Sequence, residues 1–233
     1  MQLLPDLPIG RPSFDLSEDQ IGIVVDLLCR GAAEARTHVT AGMLEVPITT
    51  LVKKAMRRLK RQLSLTNLEI IGEFELLEMS NDDPEVLGRI DIVLKFLHQF
   101  GDEEAYIGVE CKRVADDAST LNLRYVTQGV ERFASAKYGA GHEWGLMLGY
   151  VLKLPIEKLV ASIDARITKD YGDIAKLGVS DAHIQSLCMR EGVLLQGKDG
   201  HEIRLIHIFV DMTEAADFIS GAMSCTPTGV SRS

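Results

Sequence analysis

Apolar residues recur along this chain with two periods, one helical and one extended, and the alternation between them sets out the elements. Ile21, Val24, Val25 and Leu28 follow helical spacing toward Ala35, and Ser17 with Gln20 supplies a capping box at the start. A second helix is predicted from Thr40 to Leu63, with a break near Pro47 and an apolar face of Leu51, Val52, Ala55, Met56, Leu59 and Leu63. The period then shortens. Leu68–Met79 reads as a first strand, the turn signal Ser80–Pro84 follows, and two further strands fall within Arg89–Arg113, joined by a polar loop at Gln99–Glu104. A polar loop at Asp116–Thr120 leads into a helix over Leu121–Tyr138 that ends at Gly139–Gly141. The near-continuous apolar run Glu143–Leu152 has the length of a buried strand, which places Trp144 in the core. Pro155 opens a helix with Ile156, Leu159, Val160, Ile163 and Ile167 on one face. A short helix is predicted over Ser180–Arg190, a turn at Lys198–Gly200, a last strand over Glu202–Met212, and a short helix from Thr213.

These elements describe an α/β chain with a mixed sheet flanked by helices, organised as one domain. A proline-rich arm (1–17) precedes a core (18–152), C-terminal helices and the last strand occupy 153–221, and 222–233 reads as a disordered tail. The segment from Pro155 to Gln196 reads as a decoration on the core.

The third strand carries charge where apolar residues are expected. Ile107, Val109 and Cys111 alternate with Gly108, Glu110 and Lys112, so the last two share a face about 6.7 Å apart along the strand. Burying both groups is costly without partners. Asp91, on the preceding strand, is the third member if the two strands are neighbours. The three can form a structural ion cluster or a reactive site.

An Asp followed on the next strand by Glu-x-Lys resembles the PD-(D/E)xK nuclease superfamily, the restriction-endonuclease-like fold. The resemblance runs from about Ala41 to Val151, with Asp91 as the first acid and Glu110 and Lys112 as the Glu-x-Lys pair. Ile90 stands where the family usually has Pro. The resemblance implies an antiparallel meander followed by a crossover helix and a parallel strand. It also implies Asp91 and Glu110 as ligands of Mg²⁺, for which Mn²⁺ substitutes, hard cations suited to oxygen donors. Such a metal activates water and clamps a phosphodiester. Lys112 would steady that water, take its proton if its pKa is depressed, or stabilise the developing charge.

Many superfamily members place a further Glu on the helix before the sheet; Glu45 matches loosely, with Glu34 as competitor. RecB-like members carry Gln then Tyr four residues on along the later helix. Here Gln128 is followed by Arg132 and Phe133, making Gln128 a candidate hydrogen-bonder and Arg132 a candidate phosphate contact. Helix-surface polarity alone would also explain both.

Charge complicates this reading. The formal net charge is −9, whereas a freestanding DNA-binding protein usually shows a basic surface. Lys53, Lys54, Arg57, Arg58, Lys60 and Arg61 are the strongest basic cluster and the candidate nucleic-acid contact, or else a solvated helix face. Cys29, Cys111, Cys188 and Cys225 are scattered without metal-ligand spacing and read as reduced thiols. His207 reads as a core or edge residue. No signal peptide or membrane span is read, so no membrane partner is expected and the cytoplasm is the default location.

The expected activity is a Mg²⁺-dependent deoxyribonuclease, with RNA also open as substrate. Family roles imply bacterial defence or DNA repair. Cutting both strands implies a homodimer, or a partner subunit that supplies specificity. The alternative is a nuclease-like module that binds nucleic acid or protein without cutting.

Overall fold

Helix α1 (Glu18–Arg36) starts at the predicted cap. In this computed structural model, which describes residues 16–78, 85–102, 104–116, 118–179, 187–198 and 200–213, Ser17 Oγ accepts from Gln20 N–H and Gln20 Oε1 from Ser17 N–H. Helix α2 (Glu45–Gln62) begins later than its apolar pattern suggests and runs unbroken through Pro47. Proline is tolerated there because a first-turn N–H has no intrahelical partner. The two helices pack closely because Gly31 has no Cβ, which would otherwise lie 2.5 Å from Met56 Cγ.

A single sheet follows, in the order β1-β2-β3-β4-β7-β6-β5. Its strands are β1 (Leu68–Glu78), β2 (Glu85–Phe96), β3 (Ile107–Val114), β4 (Trp144–Val151), the two-residue β5 (Gly178–Val179), β6 (Leu187–Gln196) and β7 (His201–Asp211). β1, β2 and β3 form the antiparallel meander, β3, β4 and β7 run parallel, and β7, β6 and β5 are again antiparallel. The β3–β4 crossover contains α3 (Ser119–Tyr125), a π-helical turn at Val126–Val130 and α4 (Glu131–Ala134); α5 (Ile156–Tyr171) lies after β4.

Two hydrophobic clusters lie on opposite faces of the sheet. One packs α1 and α2 on Ile92, Leu94, Ile107, Val109 and Cys111; the other packs the crossover helices and α5 on Ile90, Val93, Met147, Leu205 and Phe209. Each can bury its apolar side only against the sheet, which gives a three-layer arrangement.

Several expectations need correction. Residues 187–190 belong to strand β6, not to a helix, and the rest of the helix predicted over Ser180–Arg190 lies outside the described residues. The segment from Pro155 onward is not a decoration: β6 and β7 extend the sheet, with β7 hydrogen-bonded between β4 and β6. The helix expected to reach Tyr138 stops at Ala134. The N-terminal arm up to residue 15, the Ser80–Pro84 turn, the helix after Thr213 and the tail fall outside the described residues. Trp144 is buried as expected, and so is His207, whose Nδ1 lies 2.9 Å from the Tyr125 hydroxyl. Among the described residues, no helix is long and apolar enough to cross a membrane.

Candidate active site

The site forms where β2 parts from β3. These strands pair only through Ile92–Leu94 opposite Ile107–Val109. On β2, Ile92 packs on the α1/α2 face whereas Ile90 packs on the other, although residues two apart should share a face. The same switch occurs on β1: Ile70 packs with α1 and α2, Phe74 on the opposite side. Between them Glu73 adopts φ 39°, and the register Gly72↔Ile92, Phe74↔Ile90 puts it opposite Asp91. A non-glycine residue in that region is uncommon. The twist turns the Asp91 carboxylate sideways into the gap. There its Oδ2 accepts from Cys111 N–H at 2.7 Å and takes the place of a ladder bond.

Glu110 and Lys112 follow on β3. Glu110 is 1% exposed, and the Lys112 ammonium lies 2.6 Å from its Oε1, 3.2 Å from Glu45 Oε1 and 2.9 Å from the Cys111 carbonyl. Glu45, the first residue of α2, also accepts from Arg113 N–H through Oε2 at 3.1 Å. That turn of α2 is tied down by Thr49, whose hydroxyl donates to the Glu45 carbonyl and pairs with the buried Tyr150 hydroxyl on β4. The competing Glu34 points elsewhere and pairs with Arg58.

From the other helical layer, Arg132 Nη1 lies 3.1 Å from Glu110 Oε1 and donates to Oε2 at 3.3 Å and to the Arg89 carbonyl at 3.3 Å. It also contacts the Tyr138 hydroxyl, which itself donates to the Arg89 carbonyl at 2.6 Å, and its guanidinium sits 5.1 Å from the centre of the Tyr138 ring. Arg132 therefore belongs to the acidic cluster, a role its sequence context did not suggest. Tyr138, read from the sequence only as the last residue of the predicted helix, was missed as a site residue. Gln128 is not drawn in: it is exposed on the π turn and hydrogen-bonds to none of these residues. Its neighbour Gly129 instead faces the site, where a Cβ would lie 3.5 Å from Lys112 Cγ.

Electrostatics follow from crowding. Burial, and then the charge of Asp91, push the Glu110 carboxyl up to about 7, although Lys112 and Arg132 pull it down. Asp91 is likewise raised, by burial first. Burial alone would lower Lys112, but Glu110, Glu45 and Asp91 outweigh it and hold the ammonium above its ordinary range. Lys112 is thus a fixed positive charge, not a proton acceptor, at neutral pH.

Among the described residues, no three His, Cys, Asp or Glu side chains are grouped so as to hold a metal ion. Both Glu110 oxygens face Lys112 and Arg132. The donor chemistry nevertheless suits a hard divalent cation: Asp91 and Glu110 offer carboxylate oxygens, and both carry raised pKa values that a nearby positive charge would relieve.

The basic positions of α2 do not form one line. Lys53 lies toward β1, whereas Lys54, Arg58 and Arg61 line an open cavity of about 420 Å³ beside Glu34 and His38 of the α1 side; Arg57 borders that cavity too and reaches β1 through its bond to the Ile70 carbonyl. Neither flank touches the acidic cluster directly.

Compared with family models, curated proteins and solved structures, the chain matches none. The assignment of function therefore rests on the geometry above.

Proposed function

We propose that this chain is a Mg²⁺-dependent deoxyribonuclease with the core of the restriction-endonuclease-like fold. The observation that carries the reading is the meeting of Asp91, Glu110, Lys112 and Glu45 where β2 leaves β3, toward the carboxyl-terminal half of a parallel strand. Ligand sites of open α/β sheets favour that position. The order of elements supports it too: a helix, an antiparallel meander, a crossover helix and a strand parallel to the third.

In this reading Asp91 and Glu110 would hold Mg²⁺, which when bound supplies Lewis acidity and an acidified water. Lys112 remains protonated and donates to the attacking water or to the phosphoryl oxygen, stabilising the negative charge that develops there. Glu45 orients the Lys112 ammonium through its 3.2 Å contact. Arg132, adjacent to Glu110, is placed to neutralise a phosphate oxygen once the carboxylate has another partner. Hydrolysis of both strands of a duplex would need two copies of this site, hence a homodimer or a partner subunit. A role in defence against foreign DNA or in repair remains part of the proposal.

One observation favours a second reading, a silent nucleic-acid or protein-binding module: Glu110 is already held by two cations of the chain itself. Incubation with plasmid, linear and single-stranded DNA in Mg²⁺, Mn²⁺ or EDTA separates the two. The enzyme reading expects metal-dependent cleavage that both Asp91→Ala and Lys112→Ala abolish. DNA binding with no cutting by the wild-type chain in either metal would overturn it in favour of the module.

A further inference from the structure

We propose that the nucleic-acid strand carrying the scissile phosphate runs from the site across β1, where Lys53 and Arg57 grip its backbone, while Lys54 and Arg61 do not touch it. The inference rests on the nuclease reading above and adds to it the direction of the substrate.

Gly72 provides the first observation. A Cβ there would lie 2.7 Å from Lys53 Nζ, 3.0 Å from Cδ and 3.2 Å from Cε, so the missing side chain forms a cradle for the lysine stem. Gly72 pairs with Ile92, the residue after Asp91. The Lys53 ammonium is thus held about one strand spacing, ~5 Å, to the side of the β2 position that adjoins the site. Arg57, one helical turn further on, donates from Nη2 to the Ile70 carbonyl at 3.2 Å. That bond uses one of its five N–H donors and anchors an exposed guanidinium.

Ile70 and Gly72 are two residues apart on β1, roughly 6.7 Å. The backbone winds about its axis, so neighbouring phosphates of one strand stand further apart than the axial rise of about 3.4 Å per nucleotide, and the two cations match the scale of adjacent phosphates. The carboxylates nearby do not cancel them. Glu73 and Glu75 are paired with Arg89, and Glu69 points to the opposite face of β1 from Ile70.

Arg57 also borders the cavity on the other flank of α2, but the rest of that flank offers no such continuity. Arg58 is engaged by Glu34, and Arg61 lies about 24 Å along the helix axis from Glu45, beside α1. A single backbone leaving the site follows one flank or the other, and only the β1 flank begins next to Asp91.

The test measures binding of a short fluorescent DNA strand to the full chain in EDTA across a salt series, with cleavage in Mg²⁺ followed separately. Each of Lys53→Gln and Arg57→Gln is expected to weaken binding roughly fivefold near physiological salt and to flatten the log–log salt slope by about 0.7–0.9. The double variant Lys54→Gln/Arg61→Gln should bind like wild type. Gly72→Ala, which only displaces the flexible end of Lys53, should lose part of the Lys53 effect in a folded protein. Wild-type affinity and slope in Lys53→Gln and Arg57→Gln, or a loss confined to Lys54→Gln/Arg61→Gln, would overturn the track even if the chain cuts DNA. Conversely, binding that depends on Lys53 and Arg57 without any wild-type cleavage keeps the track as a binding surface and removes the nuclease reading.

Discussion

Replacing Glu110 with Gln keeps the side chain's shape and removes its charge, and the consequence for stability can be worked from the site. Burial and the charge of Asp91 raise this carboxyl from 4.5 to about 7. A folded-state pKa above the unfolded value means that the folded chain binds the proton more tightly. The stability Glu110 contributes is therefore complete below pH 4.5 and is lost as pH rises through about 7. The interval corresponds to about 3 kcal/mol. At 1% exposure, solvent screening does little to reduce it. Gln does not titrate, so Glu110→Gln should gain on wild type by about 3 kcal/mol between acid and mildly alkaline pH, roughly 6 °C or more in Tm for a chain of this size. Urea unfolding of both proteins in EDTA across that range gives the difference directly. Excess Mg²⁺ should then stabilise wild type above neutral pH, by about 2.7 kcal/mol at a hundredfold excess over its Kd, and leave Glu110→Gln unmoved. A difference between the two proteins that stays flat with pH would refute the description of Glu110 as a buried, charge-crowded carboxylate.

His207 should govern the acid side. Burial lowers its pKa from 6.5 to about 3, so its contribution is present above pH 6.5 and is lost as pH falls toward 3. About 5 kcal/mol is at stake, and His207→Asn should flatten the acid limb of the stability curve in the same unfolding assay. Gly192→Ala would bring a Cβ within 2.6 Å of the Ala175 carbonyl oxygen, a backbone atom with little room to give. Overpacking of this kind should cost roughly 1–3 kcal/mol, read as a lower Tm by calorimetry. Gly129→Ala meets the flexible end of Met147 at 2.5 Å and Lys112 Cγ at 3.5 Å. Its stability should fall by less than about 1 kcal/mol, because methionine adapts, while metal-dependent cleavage drops more than stability does.

What the sequence disclosed was mostly local. The meander was legible because its strands are consecutive and each shows its own alternation, and the acid–lysine trio because charge within an apolar run is anomalous. The position of Asp91 relative to the other two was not legible. It depends on a switch of faces at Glu73 and Asp91, which pattern reading treats as unbroken alternation. Glu45 could be picked out only through the resemblance; its contact with Lys112 spans 67 residues of chain. Gln128 and Arg132 are four apart and should share a face of a regular helix. The π turn separates them, leaving Gln128 outside and Arg132 on Glu110. β6 escaped notice because Arg190, Glu191 and Gly192 interrupt its apolar residues, and its hydrogen-bond partners come from β7, later in the chain.

The place of β7 bears on how the molecule is made. Residues 201–211, synthesised after every other strand of this sheet, fill a slot in its interior, with β4 on one side and β6 on the other. Until they emerge, β4 has an open edge of bare N–H and C=O groups on a buried, apolar strand, the kind of surface that invites pairing with another chain. A nascent chain stalled before residue 201 should therefore be sticky. Glu45, Asp91 and Glu110, all encoded upstream, gain a finished sheet only once β7 has emerged.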